Sequence, residues 1–218
     1  MTANTTRRAT GLSPIVRSRG LRWLLSLTAC FALALAQTGA GEPNLTLRIT
    51  NDTENAIEHL FVRQAGKRLF GGDLLSVYGD LDPEETVSAG LESSYSESLY
   101  ELMAVDSEDT VYRVDAVRAE SDAESNTATI TSDDSSDSEA PEMESSSVSA
   151  SMGTDVYYVY LERIDTQDLG ANLSGGDVIP EDGTANIRYI ASEADQLGSF
   201  ILVDDIGGTM RADGPGDR

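Results

Sequence analysis

The sequence predicts an all-β protein: two small sandwich- or barrel-like units, related as a diverged duplication, with a Ser/Asp/Glu-rich disordered tract separating or interrupting them. Three observations predict it. Apolar residues alternate with polar ones at a period of two, no stretch sustains a 3.6-residue period, and turn-forming clusters interrupt the alternation at short intervals. A leader precedes the first strand and is read first.

Residues 1–36 read as a secretory signal. Arg17, Arg19 and Arg22 form a basic segment, Leu21 to Ala36 is almost wholly apolar but short for a bilayer span, and Ala34-Leu35-Ala36 offers the small-x-small pattern of a cleavage site. Leu27-Thr28-Ala29-Cys30 resembles a lipobox, yet Phe31 to Ala36 stay apolar, which argues against a lipid anchor on Cys30. Arg7-Arg8 lacks the apolar pair of a twin-arginine signal. Cleavage at Ala36 removes the only cysteine, so the remainder has no disulfide, which suits a bacterial periplasm or medium.

Five of the 15 basic residues and none of the 38 acidic ones precede residue 37, leaving 10 positive and 38 negative groups, a formal charge of −28. That field repels nucleic acid and anionic lipid and attracts cationic groups only at short range. Lys67 is the single lysine. The bland reading of such a composition is a saline habitat or a GC-rich genome.

The first β unit spans 44–118. Leu45, Leu47 and Ile49 alternate with polar neighbours, Asn51 to Asn55 closes the strand, and Ile57 to Val62 reads as the second strand. Asp82-Pro83-Glu84-Glu85 is a turn, Leu99 to Ala104 a strand, and Thr110 to Val117 its hairpin partner across an acidic turn. Residues 119–154 are rich in Ser, Asp and Glu and carry few large apolar residues, so they are expected not to order themselves. Residues 155–213 form the second unit. Collinear matches at offsets of 97 to 100 tie it to the first: Arg63 with Arg163, Leu75-Ser76 with Leu173-Ser174, Thr86 with Thr184, Val105-Asp106 with Val203-Asp204. On this alignment Thr127 to Ile130 is either the first strand of the second copy or part of the linker.

The series Asn51-Asp52-Thr53, Ile57…Leu60-Phe61-Val62, Gly72-Asp73-Leu74-Leu75, Leu81-Asp82-Pro83-Glu84 and Tyr100 to Val105 resembles a group of uncharacterised exported bacterial β domains. Their pattern is N-x-T, I-x-x-L-Y-V, G-x-D-L-L, L-x-P-G and Y-D-L-R-x-V. The resemblance covers about 49–113 and more faintly 155–211. A Trp before G-x-D-L-L and flanking Cys residues are missing here, and Glu84 stands where that pattern has Gly. The resemblance implies a β fold and transfers no activity and no functional residue.

No catalytic constellation emerges. His59 is the only histidine, lies mid-strand and reads as a surface strand residue, and no G-x-S-x-G elbow occurs. One His and no mature Cys disfavour zinc and other transition metals. The acidic turns at Asp80/Asp82, Asp106/Asp109 and Asp204/Asp205 are the places that could suit Ca²⁺, although none has the EF-hand loop pattern. Tyr158 and Tyr160 share one strand face and are the candidate binding residues, with Tyr157 on the other. The expectation is an exported, non-enzymatic module that binds an unknown protein or envelope component, without cofactor or nucleic acid and with no transmembrane segment in the mature chain. The alternatives are an acid-pair hydrolase with a cleft between the repeats and a Ca²⁺-dependent adhesion module.

Overall fold

A computed structural model of the chain describes residues 45–91, 97–120, 126–164, 169–175 and 177–217. The leader and Cys30 lie outside the described residues.

The period-two segments become strands because each buries one face. In β1 (Leu45–Asp52) Leu45, Leu47 and Ile49 point inward between exposed neighbours. Asn51 ends it with a turn: its amide Nδ2 donates to the carbonyls of Asn55 and Leu81, both at 2.9 Å, and its Oδ1 accepts from the Thr53 N–H and hydroxyl. Then follow β2 (Ile57–Gln64), a single helical turn α1 (Leu75–Tyr78), β3 (Thr86–Leu91), β4 (Glu97–Asp106) and β5 (Val111–Glu120). β3 pairs antiparallel with β1, and β2, β4 and β5 form an antiparallel meander. The inward residues of the two sheets share one core, with Leu47, Ile49 and Val87 from one side and Leu60, Val62 and Leu102 from the other.

The described part of the acidic tract forms strands, contrary to expectation. β6 (Asn126–Thr131) pairs in parallel with β1, β7 (Ser135–Ser136) touches β5, and β8 (Met143–Ser149) is a full strand. The composition argument failed because strand pairing satisfies the backbone and small residues suffice to fill the inner face: Ala128, Ile130, Ser146, Val148 and Ala150 are all buried. Residues 126–131 therefore belong with the first unit. The strand that begins the second is β8, which pairs antiparallel with β10 (Thr184–Ile190).

β9 (Val156–Arg163), β11 (Leu197–Asp204) and β12 (Thr209–Ala212) form the remaining antiparallel sheet. The pairing of this half repeats that of the first. β8–β10 answers β1–β3, β9–β11 answers β2–β4, and β11–β12 answers β4–β5. Details recur too. The Thr50–Thr86 hydroxyl contact at 2.8 Å returns as Ser149–Thr184 at 3.4 Å, and Ile57 bridges Leu81 as Val156 bridges Ile179. The hydrogen-bonded register sets Phe61 against Met103 and Tyr160 against Ile201, so Arg63 corresponds to Glu162 and not to Arg163 as the sequence alignment had it, and Leu173 likewise corresponds to Leu74 and not to Leu75. Buried side chains of both halves form one continuous cluster. Among the described residues no helix is long and apolar enough to cross a membrane.

Candidate functional site

The sequence-predicted residues fall into two groups, the acidic turns and the tyrosines of β9. Asp106 is a buried turn clamp. Its Oδ1 accepts from the N–H groups of Glu108 at 2.9 Å and Thr110 at 2.8 Å, and its Oδ2 from the Asn55 amide at 3.0 Å and the Tyr112 hydroxyl at 2.9 Å. Burial pushes its carboxyl up, but the bonds from Asn55, Thr110, Glu108 and Tyr112 together hold it below the ordinary value. Burial first, and then Asp106, raises the Tyr112 phenol. Asp204 performs the same service in the second half, accepting from the N–H of Ile206 at 3.1 Å and Gly208 at 2.6 Å. Asp80, Asp82, Asp109 and Asp205 are exposed turn residues. Among the described residues no three His, Cys, Asp or Glu side chains converge where a metal ion could sit. The carboxylate oxygens of Asp106 face N–H and O–H donors, and Asp204 Oδ1 faces two N–H donors.

Tyr158 and Tyr160 do share a face, but it is a packed one. Tyr160 is fully buried with Ile201 and Val203, and Tyr158 packs partly buried against them. Tyr157, on the other face, is the exposed tyrosine of the strand, at 38%. Ile201 and Val203 are the β11 partners of Tyr160 and Tyr158, so the two tyrosines pack beside their cross-strand neighbours.

What sequence reading missed is Asp73. Its carboxylate is completely buried where the loop leading into α1 crosses β2 and reaches β10. Oδ1 accepts from the N–H of Leu60 at 2.9 Å and of Leu75 at 3.0 Å, and Oδ2 lies 2.9 Å from both His59 Nδ1 and Arg188 Nε. The side chains of His59 and Arg188 remain 17% and 30% exposed, so one edge of this buried charge is lined by a histidine and an arginine that reach solvent. His59 is therefore not a plain surface residue. A signal existed: Asp73 is a lone acid among Phe70, Leu74 and Leu75, where a buried charge demands partners. The equivalent residue of the second half is Asn172, whose Oδ1 accepts from Val159 N–H at 2.9 Å and Ser174 N–H at 3.2 Å while its Nδ2 donates to the Ser174 hydroxyl. Tyr158 occupies the position of His59. One half thus carries an ionic cluster and the other a neutral one.

The 69–72 loop beside this cluster is tied to the second half. Glu193 accepts from the N–H groups of Phe70 and Gly71, and the buried Arg163 donates from Nη2 to the Phe70 carbonyl at 3.1 Å. Gly72 leaves space for Leu173, whose methyl carbon would lie 2.4 Å from a Cβ added there. Chemically, a His–Asp pair can orient an imidazole, and the arginine offers a cation, but both are bound to the same Asp73 oxygen. The first effect of the cluster is to neutralise a buried carboxylate at the seam. Comparison with protein-family models, curated proteins and solved structures finds no match to this chain.

Proposed function

We propose that the protein is an exported, non-enzymatic β module that acts in the periplasm or outside a bacterial cell by binding a partner protein or a component of the cell envelope. The observation that carries this reading is the way the acids are used. Among the described residues the buried carboxylates are Asp73, Asp106 and Asp204, and each accepts backbone N–H groups, Asp106 and Asp204 from their own turns and Asp73 from Leu75 and from Leu60 of β2. A general acid or base needs a position open to the reacting group. Most of the other described acids are exposed, on a chain whose charge after residue 36 is −28. Such a surface favours cationic groups on a partner at short range. The leader pattern and the absence of cysteine after residue 36 support export.

The test is co-sedimentation of the purified 37–218 chain with isolated bacterial envelopes at low and physiological salt. Saturable binding, weakened by salt and retained by Asp73→Asn, is the expected result. Turnover of ester, peptide or glycoside substrates that is lost in Asp73→Asn or His59→Ala, with the fold intact, would overturn the reading in favour of a hydrolase.

A further inference from the structure

The contacts across the seam come in exchanged pairs. The Asp73 N–H donates to the Arg188 carbonyl at 2.8 Å, and the Asn172 N–H donates to the Gly90 carbonyl, also at 2.8 Å. Asp73 and Asn172 are equivalent, because each accepts from a β2 or β9 N–H while the next residue, Leu74 or Leu173, donates to the Leu60 or Val159 carbonyl. Gly90 and Arg188 are equivalent as well, paired with Thr46 on β1 and Ser145 on β8. Position i of the first half therefore touches position j of the second, and j of the first touches i of the second. That reciprocity is the signature of an isologous, two-fold interface between two like subunits.

The side chains break this symmetry in one direction. Across one arm of the seam Arg188 meets the carboxylate of Asp73; across the other a glycine meets the neutral Asn172. Two first halves joined in the same way would bury Asp73 against Gly90 with no cation from the partner. Two second halves would set Arg188 against an amide. Asp73 would keep His59 and its two N–H donors but lose the arginine, and a buried carboxylate deprived of an ion-pair partner is penalised, so the Asp73–Arg188 pair discriminates against like pairing.

We infer that the two halves are copies of one unit docked as an internal dimer, each the binding partner of the other, and that the Asp73–Arg188 pair directs each half to its unlike partner. The unit is not self-sufficient: Glu193 and Arg163 of the second half hold the 69–72 loop of the first, and the core runs through both.

The test uses the whole chain with a specific protease site inserted between the exposed Ser138 and Glu139 and cut after folding. The cut fragments are expected to co-elute at the mass of the uncut protein and to melt in one transition. After denaturation and refolding of the mixture, native mass spectrometry should find unlike pairs in more than about tenfold excess over like pairs. Asp73→Asn should lower that excess, whereas Asp106→Asn, outside the seam, should leave it unchanged. Fragments that part without denaturant, or that melt separately, overturn the internal dimer. Like pairs as abundant as unlike ones, or an excess indifferent to Asp73→Asn, overturn the role of the ion pair.

Discussion

Asp106→Asn isolates what a buried turn carboxylate contributes. The substitution keeps the shape and leaves Oδ1 to accept from Glu108 and Thr110. It replaces Oδ2 with an amide NH2 that meets the Asn55 amide donor head-on and offers Tyr112 no acceptor. Two hydrogen bonds to a charged group are lost, at about 1.5 kcal/mol each on the low side, and the two that survive lose their charge assistance, for a total of about 3–4 kcal/mol. The pH dependence follows from the carboxyl being held below its ordinary value of 3.8 in the folded chain. A depressed native value means the contribution is complete above the unfolded value and is lost as pH falls through the native one. The gap between Asp106→Asn and the parent should therefore shrink from neutral pH to about pH 2. The assay is urea unfolding followed by far-UV circular dichroism at both pH values, with Asp204→Asn as the internal control. Asp204 receives two backbone bonds and a long contact from Thr154 at 3.5 Å, so its loss should cost only about 1–2 kcal/mol. An Asp106→Asn gap below about 1 kcal/mol, or one that persists unchanged in acid, would refute the assignment of Asp106 as a charged clamp.

Three further outcomes are expected. Glu84 holds a left-handed backbone at φ 68°, which costs a non-glycine residue about 1–2 kcal/mol, so Glu84→Gly should raise the urea midpoint by the equivalent of about 0.5 kcal/mol after glycine's own entropy. Gly72→Val places a side chain against Leu173 and should destabilise by about 1–3 kcal/mol; adding Leu173→Ala should recover part of that, read as a positive coupling in a double-mutant cycle. Tyr160→Ala removes a fully buried ring and should cost about 3–5 kcal/mol, whereas Tyr157→Ala, which trims an exposed side chain, should stay within about 0.5 kcal/mol in the same melts.

Glu84 and, in the second half, Asp182 at φ 58° hold left-handed backbones that favour glycine. The first of these turns is fixed by Asn51 and Leu81, through the Glu84 N–H to Asn51 carbonyl bond and the Asn51 amide.

By itself the sequence determined the β class, the position of most strands and the acidic turns, because alternation and turn chemistry act over a few residues. β1, β4 and β5 lie where the alternation placed them. Tertiary structure alone decided the rest. Ser-rich segments such as β8 become strands only when β10 supplies the partner, and their small buried residues give little sign in composition. Tyr160 goes inward because β9 has two apolar faces, which alternation cannot distinguish from one apolar and one wet. Asp73 becomes the centre of the seam because residues 14 positions before it and 115 after it meet its carboxylate, and no local rule can bring His59 and Arg188 together.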